Sequence, residues 1–99
     1  MGKVLPFRRD EPAEEPLWRE AVGEQLREER TARCERLTDV AGRAGVSTQY
    51  LSELERGLKE PSSEVLAALA GALRLSVADL TSRAVQRLAG LPGPVCLAA

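Results

Sequence analysis

Residues 37–56 carry the sequence LTDVAGRAGVSTQYLSELER, in which two short apolar patterns flank a glycine. Ala41 is small enough to lie where two helices cross, and Gly45 can take the positive φ that a sharp turn between helices requires. The other apolar positions, which can close a small shared core, are Val40, Ala44, Val46, Leu51 and Leu54. The segment therefore predicts two helices joined by a tight turn.

Helical patterns continue on both sides of this segment. Ser47, Ser62 and Ser76 are placed to cap helices, and no segment alternates with period two for long enough to form a strand. Aromatic residues make up only 3% of the chain, so the core must consist of Leu, Val and Ala, which favours helices. We therefore predict an all-α domain at 17–89, between a flexible arm at 1–16 and a flexible tail at 90–99. Helices are expected at about 17–33 and 37–44, from Ser47 to about Arg56, after Pro61, and at 76–89.

The third predicted helix has a polar outer face. Its inward positions are Leu51 and Leu54, and its outer positions are Thr48, Gln49, Ser52 and Glu53. Gln can bond adenine bidentately, Glu can accept a hydrogen bond from the cytosine amino group, and Thr or Ser can contact either base edge. We therefore expect these four outer residues to contact bases in a DNA major groove, although the same pattern also fits a helical hairpin with a solvated face. The expected phosphate contacts near that face are Ser47, Tyr50, Arg56, Lys59, Ser62 and Ser63.

The composition argues against several classes of function. The chain has 14 Lys and Arg against 15 Asp and Glu, so affinity for DNA would have to come from local arrangement rather than bulk charge. The chain has no histidine, which excludes His-dependent catalysis and His-containing zinc sites. Cys34 and Cys96 have neither disulfide-framework nor metal-ligand spacing, and the acidic pairs Glu14-Glu15 and Glu28-Glu29 are expected to be solvated. We therefore expect a cytoplasmic, non-enzymatic protein with no cofactor, no metal and no membrane-spanning segment.

Residues 22–80 resemble the helix-turn-helix domain of the Xre/Cro/phage-repressor family. The matching residues are Val22-Gly23, Leu26-Arg27, most of VAGRAGVS at 40–47 and of YLSELERG at 50–57, Pro61-Ser62, and Ala72-Leu73 with Leu75-Ser76. Within the family, the first helix and the segment ELERGLKEPSSE at 53–64 are most similar to actinobacterial regulators of Clp protease genes. The resemblance implies a five-helix, lambda-repressor-like domain that regulates transcription. It also implies that the third helix enters the major groove of a palindromic double-stranded operator, and that the protein binds as a homodimer.

The resemblance assigns further roles. It implies a structural ion pair between Arg30 and Glu55, buried between the first and third helices. The chain departs from the family at four positions. Glu29 stands where a small or apolar residue is common, and Arg36 where a Ser or Thr caps the second helix. Leu37 stands where a phosphate-contacting Gln is common, and Arg74 where a Gly is common. These departures bear on how the protein contacts the DNA backbone and leave the expected fold unchanged.

The fifth predicted helix carries more apolar surface than a small core needs. We expect its second half to form the dimer contact, through Ala84, Val85 and Leu88. The alternative function is a protein-interaction module, such as an antitoxin or a coactivator-like adaptor, which the near-neutral charge leaves open. The short polar side chains of the third helix favour DNA over that alternative.

The sequence Leu97-Ala98-Ala99 resembles the end of the bacterial tag that directs proteins to the ClpXP protease. This similarity indicates a degradation signal and ClpXP as a partner. The alternative is a tail that ends in small residues because the chain is rich in Ala.

Overall fold

The computed structural model describes residues 16–90, which form five helices and no strand. The helices are α1 (Trp18–Ala32), α2 (Leu37–Ala44), α3 (Thr48–Glu55), α4 (Ser63–Ala72) and α5 (Val77–Leu88). The predicted all-α, five-helix architecture is confirmed, and the helix ends lie close to the expected positions. The expectations for residues 1–15 and 91–99, including the signal at 97–99, lie outside the described residues.

Serine hydroxyls begin three of the helices. In each case the oxygen accepts the backbone N–H three residues on, at 2.9–3.2 Å: Ser47 from Tyr50, Ser62 from Val65, and Ser76 from Asp79. The helix α2 begins differently, because Arg36 at the cap position offers no accepting side chain. Instead the carboxylate of Asp39 accepts the N–H of Arg36 at 3.0 Å, and this hydrogen bond holds the pKa of Asp39 below its ordinary value.

A residue with left-handed backbone geometry follows every helix. Three of the five are glycines, with φ between +72° and +76°: Gly45, Gly57 and Gly90. The other two are Cys34 at φ +57° and Arg74 at φ +61°. Residues other than glycine rarely adopt this backbone geometry, because it brings Cβ close to the following carbonyl oxygen. The departure at Arg74 therefore lies at a position whose backbone suits glycine.

The core consists of Leu, Val and Ala side chains drawn from all five helices, as predicted. Its buried members include Val22 and Leu26 of α1, Val40 and Ala41 of α2, Leu51 and Leu54 of α3, Leu69 and Leu73 at α4, and Leu80 and Ala84 of α5. Ala41 is buried where α2 meets the rest of the core, and the N–H of Val46 donates to its carbonyl at 3.0 Å across the turn at Gly45. These contacts form the turn between α2 and α3.

The structure corrects one of the expected dimer contacts. Ala84 is 0% exposed and lies in the core of the domain, so its side chain is not available to a second copy. Val85, the next residue, is 51% exposed, and Leu88 is half-buried. Of the three expected dimer contacts, Val85 and Leu88 therefore remain accessible to a second copy.

Glu29 is buried, so the expectation that the Glu28-Glu29 pair is solvated is wrong for this residue. Its carboxylate accepts hydrogen bonds from Gln25 at 2.8 Å, from Arg33 at 3.0 Å and from Arg83 of α5. Arg87 of α5 in turn donates to the Gln25 oxygen at 2.8 Å. A polar network thus joins α1 to α5 where the family commonly has a small or apolar residue.

No single helix among residues 16–90 is long and apolar enough to cross a membrane; α4 and α5 reach that length and composition only together, across a bend of 101°. No group of three or more His, Cys, Asp and Glu side chains that could hold a metal ion occurs in this described part of the chain.

Candidate nucleic-acid interface

The outer face of α3 presents the four side chains predicted to contact bases. Thr48 and Gln49 in its first turn are exposed, and Ser52 and Glu53 one turn later are partly exposed. The inward face holds Leu51 and Leu54, which are both buried. The helix therefore offers a row of short polar groups that a major groove can accommodate.

The predicted phosphate contacts flank this face at the ends of α3 and α4. The exposed members of the set are Ser47, Arg56, Lys59, Ser62 and Ser63, whereas Tyr50 is half-buried and packs against the core. The cap hydrogen bonds use Ser47 and Ser62 as acceptors. Each hydroxyl therefore still has its proton to donate to a phosphate, beside the positive end of a helix dipole.

Two of the predicted DNA contacts are paired with each other. The ammonium of Lys59 lies 3.2 Å from Oε1 of Glu53, and its Nζ is 6.0 Å from the centre of the Tyr50 ring. A residue expected to contact bases and one expected to contact phosphate therefore form an ion pair in the free protein.

Arg30 and Glu55 form the ion pair that the family resemblance implies. The guanidinium donates from Nε to Oε2 at 2.8 Å and from Nη2 to Oε1 at 2.9 Å, and Nη1 also donates to the carbonyl of Glu35 at 2.9 Å. The hydrogen bonds to Glu55 raise the pKa of Arg30 above its ordinary value. The pair fastens the end of α3 to α1.

Gly23 of α1 lies against the backbone of α3. A Cβ at this position would be 2.3 Å from the carbonyl oxygen of Leu54 and 2.8 Å from that of Glu55, so only glycine fits. Arg19, one turn earlier, donates from Nε to the carbonyl of Gly57 at 3.0 Å. Sequence reasoning noted Gly23 only within the family resemblance and missed Arg19. The position of a glycine inside a helix was the available signal for close backbone approach.

Two short helices joined by a tight turn, with a polar outer face on the second, are typical of helix-turn-helix proteins. A helix-turn-helix family model (HTH_3) matches residues 26–80, which is more than half of the chain. The chain belongs to this helix-turn-helix family, and the predicted family membership is confirmed.

Among characterised relatives, the chain is similar to the transcriptional regulator ClgR of Mycobacterium tuberculosis. The two are 47% identical over 73 residues, which is 74% of this chain and 65% of that relative. The chain therefore matches just under two thirds of the relative's length.

Two solved structures of regulatory proteins are also similar to this chain. The clp gene regulator ClgR of Corynebacterium glutamicum superposes with a TM-score of 0.73 at 49% identity, over 76% of this chain and 80% of that chain. The restriction-modification controller protein C.AhdI of Aeromonas hydrophila superposes with a TM-score of 0.61 at 31% identity, over 63% and 94% of the two chains. The lambda-repressor-like fold is thus shared with known regulators.

Proposed function

We propose that this protein is a sequence-specific regulator of transcription that binds double-stranded DNA through α3, with residues 17–89 as the DNA-binding unit. The observation that carries the proposal is the row formed by the exposed Thr48 and Gln49 and the partly exposed Ser52. The opposite face of α3 is buried in the core, and the end of the helix is bonded to α1 through Glu55 and Arg30. In this proposal the protein binds DNA, catalyses no reaction and acts in the cytoplasm.

We further propose that the genes it controls include those of the Clp protease. Support comes from the similarity to two proteins named ClgR, one of which is described as a clp gene regulator. The segment ELERGLKEPSSE at 53–64 carried the same indication in the sequence alone.

The test is selection of bound sequences from a pool of random duplexes, repeated with Gln49→Ala. We expect the parent to enrich a palindromic motif, and the variant to lose preference at one base position in each half-site, at a cost of about 1–3 kcal/mol there. The affinity of the parent should also fall steeply with salt concentration. Enrichment of no motif, with affinity insensitive to salt, would instead favour a protein-interaction module.

We also propose that two copies pair through the second half of α5, because one recognition helix covers too few base pairs for useful specificity. Val85 is exposed there and Leu88 is half-buried. Val85→Glu should convert a dimer to a monomer in light scattering after size exclusion. Ala67→Glu, on an exposed position of α4, is the matched control and should leave the dimer intact. A Val85→Glu protein that remains dimeric would place the interface elsewhere.

A further inference from the structure

The ion pair between Glu53 and Lys59 lies among the residues proposed to face DNA. Glu53 is the more enclosed partner, with 21% of its side chain exposed against 56% for Lys59. The ammonium is 3.2 Å from the carboxylate and lies above the ring of Tyr50. In the free protein, the positive charge that DNA phosphates would attract is therefore already partnered.

The backbone brings these two side chains together. Gly57 has φ +75°, which lets the chain reverse at the end of α3, and the N–H of Leu58 then donates to the carbonyl of Glu53 at 3.0 Å. Lys59 follows directly and so returns alongside the last turns of the helix. The pairing thus follows from how α3 ends.

A DNA phosphate and the carboxylate of Glu53 compete for the same ammonium group. If Lys59 moves to a phosphate, Glu53 is left without its partner beside the anionic DNA backbone, which is unfavourable. A cytosine amino group can restore a partner, because it donates a hydrogen bond to a carboxylate in the major groove. The energetic cost of releasing Lys59 is then offset only where a cytosine lies opposite Glu53.

We propose that the Glu53–Lys59 pair is a specificity device: it weakens binding to non-cognate DNA and releases Lys59 to the backbone at sites that give Glu53 a cytosine. This inference rests on the proposed function, since it concerns how the same face discriminates among DNA sequences. It assigns to Glu53 a second role besides base contact, which is to hold Lys59 in the free protein.

The test is a double-mutant cycle on DNA affinity. The parent, Glu53→Gln, Lys59→Met and the double variant are titrated with a non-cognate duplex and with the selected operator at four salt concentrations. Glu53→Gln should bind the non-cognate duplex about two- to fivefold more tightly, the range expected for an exposed ion pair. Its slope of log affinity against log salt should steepen by about 0.9, because Lys59 now displaces a counterion. The ratio of operator to non-cognate affinity should fall.

Two results would overturn the inference. One is a gain in non-cognate affinity that persists when Glu53→Gln is made in the Lys59→Met protein, since the effect would then not pass through Lys59. The other is an equal gain for Glu60→Gln, which removes the same charge from the exposed residue next to Lys59 in the sequence. A parent protein that selects no operator contradicts the proposed function itself, whereas a parent with an operator but no coupling contradicts only the role of the pair.

Discussion

Replacement of Glu55 by Ala should destabilise the whole domain, even though the residue lies beside the proposed DNA-binding face. The Glu55 side chain is only 6% exposed and that of Arg30 is 14% exposed, and two hydrogen bonds of 2.8 and 2.9 Å join them. Removal of the carboxylate leaves the guanidinium nearly buried, with the carbonyl of Glu35 as its remaining acceptor within 16–90. An enclosed charge without its counterion is costly.

The magnitude follows from this geometry. Breaking a buried pair by removing one partner costs about 3–5 kcal/mol, and we take the lower end, about 3 kcal/mol, because Arg30 can still reach water. A domain of this size is stable by roughly 4–11 kcal/mol, so the loss is a large fraction of the total. The midpoint of thermal unfolding should fall by roughly 12–24 °C.

The assay is urea and thermal unfolding followed by circular dichroism, with Glu60→Ala on the exposed loop as the matched control. The double variant Arg30→Met, Glu55→Met should regain much of the lost stability, because apolar residues of similar volume can replace a buried pair. A Glu55→Ala protein that melts with the parent would refute the reasoning. So would a double variant less stable than Glu55→Ala, because it would mean that packing rather than charge holds this position.

Three further predictions concern other parts of the fold and are tested by urea unfolding. Arg74→Gly should stabilise the domain by about 0.5–1 kcal/mol, because glycine relieves the positive φ at that residue; a loss of stability would contradict this. Gly23→Ala should cost more than about 2 kcal/mol, because its Cβ would meet the Leu54 carbonyl, whereas Gly42→Ala in open space should gain up to about 1 kcal/mol. Burial raises the pKa of Glu29, but its hydrogen bonds outweigh burial and hold it below the ordinary value. The ionised Glu29 therefore stabilises the fold above about pH 4.3, and this contribution is lost as the pH falls through the folded pKa. In Glu29→Gln, the free energy of unfolding should accordingly fall less steeply as the pH is lowered through this range.

The helix-turn-helix segment was predictable because its constraints are local. A small residue at Ala41, a glycine at Gly45 and a serine cap at Ser47 act over a few residues, and the structure has each in the expected place. The row of polar side chains on α3 followed from the same periodicity. Local patterns therefore located both the fold and the candidate site.

The polar network between α1 and α5 was not predictable in this way. A helix rich in Glu and Arg has the same sequence pattern whether a given carboxylate is solvated or buried, and the partner of Glu29 on α5 is Arg83, 54 positions away. The same limit applies to α5, where the apolar spacing did not show that Ala84 is enclosed and Val85 is exposed. These assignments depend on which helix packs on which, and that is a property of the tertiary structure.

Besides the apolar packing of Leu51 and Leu54, three polar or backbone contacts join one face of α1 to α3 and its C-terminal end. Arg19, Gly23 and Arg30 fall within about 40° of one another around the helix, given 3.6 residues per turn. Between them they hold the carbonyl of Gly57, the backbone at Leu54 and the carboxylate of Glu55. Contacts of this kind fix distance and direction more tightly than apolar packing does, because a hydrogen bond and a backbone approach each tolerate little displacement. The outer residues of α3 take no part in them, so a change of base preference can arise there without loss of the helix orientation on which any base contact depends.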